Sequence, residues 1–172
     1  MTQTSYARSS GSSGSGSAAP DGTFDLLIAR TFDAPVALVF SLWESREHLL
    51  RWWGPKDFTC TAVDLDFRVG GAYRICIVSA QYGENWMGGT FREIVKNQRI
   101  VMTFAWEDGR DQGSVETLIT VTFSEEAGKT VQRFHQTPFL KVESRDSHIG
   151  GWSECFDGEQ QYLDTMNQGS HS

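Results

Sequence analysis

The sequence predicts an α+β domain in which a curved antiparallel sheet wraps a long C-terminal helix, with two short helices after the first strand. Three observations carry this. Between Phe58 and Gln136, apolar and polar residues alternate with the period of strands, and turn signals punctuate the run. Over Asp146–Met166 the period becomes helical, with Ile149, Trp152, Phe156, Leu163 and Met166 on one face. Strands followed by a single long helix give the α+β order, whereas strands alternating with helices would imply a parallel sheet.

Residues 1–22 are mostly Ser, Gly and Ala, with almost nothing apolar to bury, and are expected to form a disordered tail. Residues 23–168 are expected to form a single ligand-binding domain. Thr23–Phe32 is its first strand, with Phe24, Leu26 and Ile28 alternating on one side. Asp33-Ala34-Pro35 breaks the run, and Pro35 suits the first turn of a helix carrying Val36, Val39, Phe40 and Trp43. Glu44-Ser45 interrupts, and a second helix covers Arg46–Trp53 before Gly54-Pro55 stops it. Strands are then expected at Thr59–Phe67, Ala72–Ala80, Trp86–Val95, Ile100–Trp106, Val115–Ser124 and Thr130–Gln136. Turns separate them at Gly70-Gly71, Gln81–Asn85, Lys96–Arg99, Glu107–Ser114 and Glu125–Lys129.

Asp146 and Ser147 are N-cap candidates for the last helix, and Gly169 falls where it should stop. Arg145, Glu154, Asp157 and Gln161 fall off its apolar face and are expected to meet water. Gly150, Gly151 and Gly158 sit inside it, where each costs about 1 kcal/mol against Ala. Something must offset that cost, such as backbone packed close to a sheet, or room left for a ligand.

The chain has 172 residues, 39% hydrophobic and 12% aromatic, enough for one domain with a sizeable core. Its net charge is -7 and no basic cluster occurs, so direct nucleic-acid binding is not expected. No apolar run reaches the roughly 18 residues of a membrane span, so no membrane partner is expected. There is no apolar signal core either, and the protein is read as cytoplasmic. Cys60, Cys76 and Cys155 form no C-x-x-C pair, and His48, His135, His148 and His171 are scattered. Buried thiols in a reducing compartment are expected, with no metal and no cofactor.

Arg30-Thr31-Phe32-Asp33-Ala34-Pro35, Arg51-Trp52-Trp53-Gly54-Pro55, Arg68-Val69-Gly70-Gly71 and Gly150-Gly151-Trp152 occur in this order. Together they resemble the SRPBCC (START-like) superfamily, in the branch similar to activators of the heat-shock chaperone ATPase. The resemblance covers about Phe24 to Leu163. It implies the helix-grip fold, with a cavity between the sheet and the last helix. His135 is followed by Gln136-Thr137-Pro138-Phe139, without the glycine that often precedes a phenylalanine there in this branch. The same cavity serves cyclases, lipid carriers and chaperone partners, so the fold leaves the function open.

Within the superfamily, the serine-glycine tail, the Trp52-Trp53 helix and the loop Asp108–Gly113 resemble self-resistance proteins against enediyne antibiotics of the calicheamicin type. That resemblance implies a non-enzymatic, stoichiometric partner for a small-molecule enediyne, expected to act as a monomer. Gly113 would donate hydrogen to the activated drug and mark the site of chain cleavage. A glycine suits this chemistry, because no Cβ shields its two Cα hydrogens and the resulting radical is flanked by two amides. Read alone, Gly113 is an ordinary turn glycine. The alternatives are a co-chaperone-like or small hydrophobic-ligand module, and a polyketide cyclase or hydrolase.

A cavity for such a ligand needs apolar walls with a few polar anchors. Trp53, Tyr73, Trp86, Phe104, Trp106, Phe134, Trp152 and Phe156 are the aromatic candidates. Trp86 and Trp106 stand out because each is expected to end a strand beside a loop. Alternation puts Gln132 and Gln136 on the face of Phe134, where they anchor a sugar or line a solvated face. Glu93, Glu107, Asp108 and Asp111 have nothing that gathers two of them for acid–base work, and a solvated loop is the simpler reading. Ser153, His148 and Asp157 share one helix without a nucleophile elbow, which argues against a triad.

Overall fold

The structure, a computed structural model, describes residues 12–19 and 21–169. The chain runs β1 (Ser12–Ala18), β2 (Phe24–Phe32), α1 (Val36–Glu44), α2 (Arg46–Trp52), β3 (Thr59–Leu65), β4 (Ala72–Ser79) and β5 (Gly83–Val95). It continues through β6 (Arg99–Trp106), β7 (Thr117–Glu126), β8 (Lys129–Phe139) and α3 (Val142–Gly169). All eight strands form one antiparallel sheet in the order β1-β2-β8-β7-β6-β5-β4-β3. Register shifts at Phe24/Leu26, Cys60/Ala62 and Phe91/Glu93 supply the irregularities that let a sheet curve. The expected α+β order and the helix-grip arrangement are both present.

Three local expectations change. The tail expected over 1–22 contains a strand, because Ser12–Ala18 pairs residue for residue with Arg30–Phe24. Backbone pairing to a free sheet edge needs no apolar side chain. Ser17 adds side-chain closure, its N–H and Oγ both donating to Asp25 Oδ1 at 2.8 and 2.7 Å. Residues 1–11 and Pro20 of that tail lie outside the described residues, as does His171. The last helix starts at Val142, before Asp146, and Arg145 does not face open water. Its guanidinium donates to the Asp25 carbonyl at 3.0 Å and to Asp146 Oδ1 at 2.8 Å. The last strand runs past Gln136 to Phe139.

The inner face of the sheet carries Leu26, Ile28 and Phe32 from β2, Phe134 from β8, Ile119, Val121 and Phe123 from β7, and Met102 and Phe104 from β6. Phe156, Leu163 and Ile149 of α3 and Trp43 and Phe40 of α1 fill the concavity. This burial supplies the main driving force. Polar groups are buried with it, and most of them are paired; among the described residues, Arg30 Nε and Asn97 Oδ1 are buried without a partner. Gln132 Nε2 donates to Glu159 Oε1 at 3.0 Å, and Trp43 Nε1 donates to Gln132 Oε1 at 3.0 Å and to Glu159 Oε2 at 3.2 Å. Trp152 Nε1 donates to Gln136 Oε1 at 2.8 Å, and Gln136 Nε2 donates to Thr117 Oγ1 at 2.8 Å. Arg30, cross-strand from Gln132, reaches α3 through Asp157 Oδ1 at 3.0 Å and the Ser153 carbonyl at 3.3 Å.

Gln132 and Gln136 therefore line no solvated face. Both are buried in the seam between β8 and α3. Glu159 is fully buried, and burial pushes its carboxyl up to about 8, against the lowering effect of its bonds to Gln132 and Trp43. Between the unfolded value near 4.5 and about 8, the folded chain holds a proton that the unfolded chain has released. Stability is full below that window and declines as pH rises through it, by roughly 1 kcal/mol per pH unit. Denaturant titrations at pH 5, 6, 7 and 8 check this, and Glu159→Gln is expected to flatten the decline.

Candidate functional site

The concavity is not filled to its end. A cleft of about 350 Å³ opens between α3, the α2–β3 connection and strands β4 to β6. Its aromatic wall is a chain of edge-to-face contacts. Trp53 meets Trp152 with centroids 5.2 Å apart at 88°, Trp152 meets Phe104 at 5.8 Å and 68°, and Phe104 meets Trp106 at 5.5 Å and 89°. Trp53 is fixed from behind by its Nε1 donating to Met87 Sδ at 3.4 Å. At the rim, Phe58 and Tyr82 stack with 2° between their planes. Tyr82 is 63% exposed, so an aromatic surface extends out of the cleft into solvent.

The helix glycines now divide by role. Gly151 lines the cleft, and a Cβ there would meet nothing within 4 Å. An added Cβ at Gly158 would lie 3.4 Å from the Trp52 carbonyl oxygen, at the α2–α3 contact. Room for a ligand is thus realised at Gly151, whereas Gly158 faces a helix and not the sheet.

The polar members of the cleft are few. His148 Nδ1 lies 2.8 Å from the Ser144 carbonyl, and its Nε2 lies 3.0 Å from Trp106 Nε1. A carbonyl only accepts and an indole N–H only donates. The ring is therefore neutral, with its proton on Nδ1 and its lone pair on Nε2. Burial lowers its pKa, the Ser144 bond opposes that, and Arg110 lowers it further. Arg110 stacks 4.1 Å above Trp106 and donates from Nη2 to Asn85 Oδ1 at 3.0 Å. It thereby ties the β6–β7 loop to the start of β5 across the mouth. Cys155 also lines the cleft, and burial pushes its thiol well above its ordinary value, so it stays protonated.

The residues singled out from sequence fall into four groups. Trp53, Phe104, Trp106 and Trp152 line the cleft together. Phe134 and Phe156 are fully buried core, and Gln132 belongs to the Glu159 network. Tyr73 is also core: its hydroxyl donates to the Thr103 carbonyl at 2.6 Å. Trp86 lies on the other side of the sheet. Its strand begins at Gly83, so Asn85 and Met87 point inward, and Trp86 lies under the Arg74 guanidinium at 3.8 Å. Gln136 and Gly113 border a separate recess of about 10 Å³, barely the space of one water. Phe104, Trp106, Arg110 and His148 wall both recess and cleft, and so stand between Gly113 and the larger space.

Gly113 itself is exposed, with φ of +57°, and nothing lies within 4 Å of its Cβ position. Its N–H donates to the Gly109 carbonyl at 2.8 Å. The neighbouring Gln112 pins the loop to the end of β8, donating to the Pro138 carbonyl at 3.1 Å and accepting from Leu140 N at 2.9 Å. The loop carboxylates do not converge: Glu107 pairs with Arg74, Asp108 with Arg110, and Asp111 with Lys141. The helix triad is not assembled either, since Asp157 pairs with Arg30 while His148 is engaged by Ser144 and Trp106.

Sequence reasoning missed His148, Asn85 and Arg110. His148 carried a signal, since it lies one helical turn before Trp152 and shares its face. Asn85 and Arg110 carried none, because they meet only through the fold.

The family described as Activator of Hsp90 ATPase homolog 1-like protein matches residues 33–164. No curated protein matches the chain. Among solved structures, protein CV1439 from Chromobacterium violaceum is 22% identical, with a TM-score of 0.74 over 80% of this chain and 95% of that one. The AHSA1 protein SPO3351 from Silicibacter pomeroyi is also 22% identical, with a TM-score of 0.74 over 83% and 99%. CalU16 from Micromonospora echinospora is 19% identical, with a TM-score of 0.61 over 91% and 88%. At these identities the likeness is one of fold. No helix among the described residues is long and apolar enough to cross a membrane. With a family match that spans most of the chain, and a cleft where a helix-grip domain has its cavity, this protein belongs to the Activator of Hsp90 ATPase homolog 1-like family.

Proposed function

We propose that this chain is a self-resistance protein that binds an enediyne antibiotic of the calicheamicin type and quenches its diradical, sparing DNA. The observation that carries the reading is the aromatic cleft of about 350 Å³ beside the Gly113 loop. Apolar walls suit a polycyclic guest, and polar groups are few. The chain acts once per molecule, as a monomer, with no cofactor and no direct contact to nucleic acid. One aryl radical centre takes a Cα hydrogen of Gly113: that C–H bond breaks and an aryl C–H bond forms. The glycyl radical left behind adds dioxygen, and the backbone cleaves there. What the protein supplies is position, because a short-lived radical attacks what it touches. Gly113 is suited by its uncovered Cα and by a loop pinned through Gln112. Its separation from the cleft by Trp106 and His148 requires the guest to lie over the Trp106 edge, or that pair to part.

Activated drug mixed with protein is expected to give two fragments meeting at Gly113, at no more than one cut per chain. Intact-mass spectrometry checks this, and a mixture with no boundary near Gly113 overturns the mechanism. Gly113→Val has open space but a left-handed backbone, so a cost of about 1–2 kcal/mol is expected with the fold retained. Such a variant is expected to protect DNA poorly, and full protection would leave only passive sequestration.

A second reading is favoured by one observation, the neutral imidazole of His148 on the cleft wall, whose one lone pair can take a proton once the Trp106 N–H releases it. A cyclase or hydrolase needs such a proton acceptor near its substrate. Under that reading, turnover on a polyketide-like substrate exceeds one equivalent and is lost in His148→Phe. Activity surviving that change excludes His148 as the base.

A further inference from the structure

The α2–β3 connection, residues 53–58, is a wall with two sides. One side faces the apolar cleft. The other faces a second hollow of about 540 Å³, between the end of α2 and the outer flank of α3. Trp53, Gly54, Pro55 and Phe58 border both spaces. At Gly54 the wall has no side chain, and its φ of +125° is one that glycine alone adopts readily.

The second hollow has a different chemistry. Arg51, Lys56, Asp57, Thr59 and Gln161 border it and are exposed. Among the described residues, Lys56 Nζ, the Asp57 carboxylate, Thr59 Oγ1 and the Gln161 amide have no hydrogen bond or ion pair, and Arg51 only lies over the Tyr162 ring. Two nearby carboxylates are already engaged: Asp157 by Arg30, and Glu154 by the Lys56 backbone N–H at 3.0 Å. The free groups are thus two cations, one anion, a hydroxyl and an amide. Donors and acceptors are mixed, with little net charge, which suits a neutral ligand whose groups both donate and accept. Hydroxyls do both. Gly158 borders the hollow without a side chain, and a Cβ there would meet the Trp52 carbonyl oxygen at an ordinary contact distance of 3.4 Å.

We infer that this hollow is a subsite for the hydroxylated, glycosidic part of a ligand whose apolar body fills the cleft, the two parts joined across Gly54-Pro55. The inference rests on the reading that the cleft takes an apolar aromatic guest. It adds a second contact region, on residues the cleft does not use.

The test uses 4-methylumbelliferone and its cellobioside as probes, titrated against the full chain by isothermal calorimetry. The second protein is Asp57→Ala/Gln161→Ala, both positions exposed and outside the core. The glycoside is expected to bind the unaltered chain about tenfold tighter than the aglycone. In the double variant that advantage disappears while aglycone affinity stays unchanged. Equal affinity of the two probes for the unaltered chain, or an advantage that survives the double change, overturns the subsite alone. Failure of the aglycone itself to bind overturns the cleft reading and the subsite with it. Amide shifts at Thr59 and Gly158 that appear with the glycoside and not with the aglycone give an independent readout in support. Glycoside binding without them counts against it.

Discussion

The structure depends on how α3 is seated on β8. Two hydrogen bonds join the helix to two glutamines four residues apart on the strand: Trp152 donates to Gln136, and Gln132 donates to Glu159. A buried amide left without a partner costs about 1–3 kcal/mol, so a rotated or shifted helix would lose more than packing. Apolar contacts alone would tolerate several seatings of the helix. The polar pairs select one. Trp43 joins the Glu159 pair, so the same constraint fixes α1. Arg30, paired to Asp157, repeats it on β2.

Much of this fold was legible in the sequence. The period-two runs located the strands from β2 onward, and the apolar helical face was found correctly at Ile149, Trp152, Phe156 and Leu163. What escaped were the positions where a polar residue occupies a core site. Glu159 is seven residues from Trp152 and on its face, yet a glutamate on a helix ordinarily reads as solvent-facing. Only the meeting of Gln132, Trp43 and Glu159, distant in sequence, makes its burial tolerable. β1 escaped for the opposite reason. Serine and glycine carry no burial signal, and the strand exists because β2 offers an unpaired edge.

The site was legible in part: Tyr73, Phe134, Phe156 and Gln132 point inward but are consumed by the core, and only Trp86 falls on the other face. Trp106 ends β6 beside a loop, but β5 starts at Gly83, so Trp86 lies within the strand, and alternation with the buried Asn85 and Met87 turns it outward. A strand boundary misplaced by a few residues leaves parity intact in principle. The pairing of Asn85 with Arg110 depends on the start of β5 and the β6–β7 loop meeting across the mouth, which no local pattern encodes.

Why a cleft survives in a domain so rich in aromatics follows from where side chains are missing. Most of the concavity is filled by Phe40, Phe134 and Phe156, all fully buried. At the α2 end the filling stops, because α3 presents Gly151 and the connecting loop presents Gly54. Each is a glycine with a stated reason: open space at one, a left-handed backbone at the other. Meanwhile Trp53 and Trp152 are held upright by bonds from their indole N–H groups to Met87 and Gln136, and so cannot fold inward to close the gap. The rings that would ordinarily collapse into the void are tied to its walls. The opening is therefore a property of the polar ties as much as of the missing side chains. The bonds that seat the helix also keep the space beside it empty.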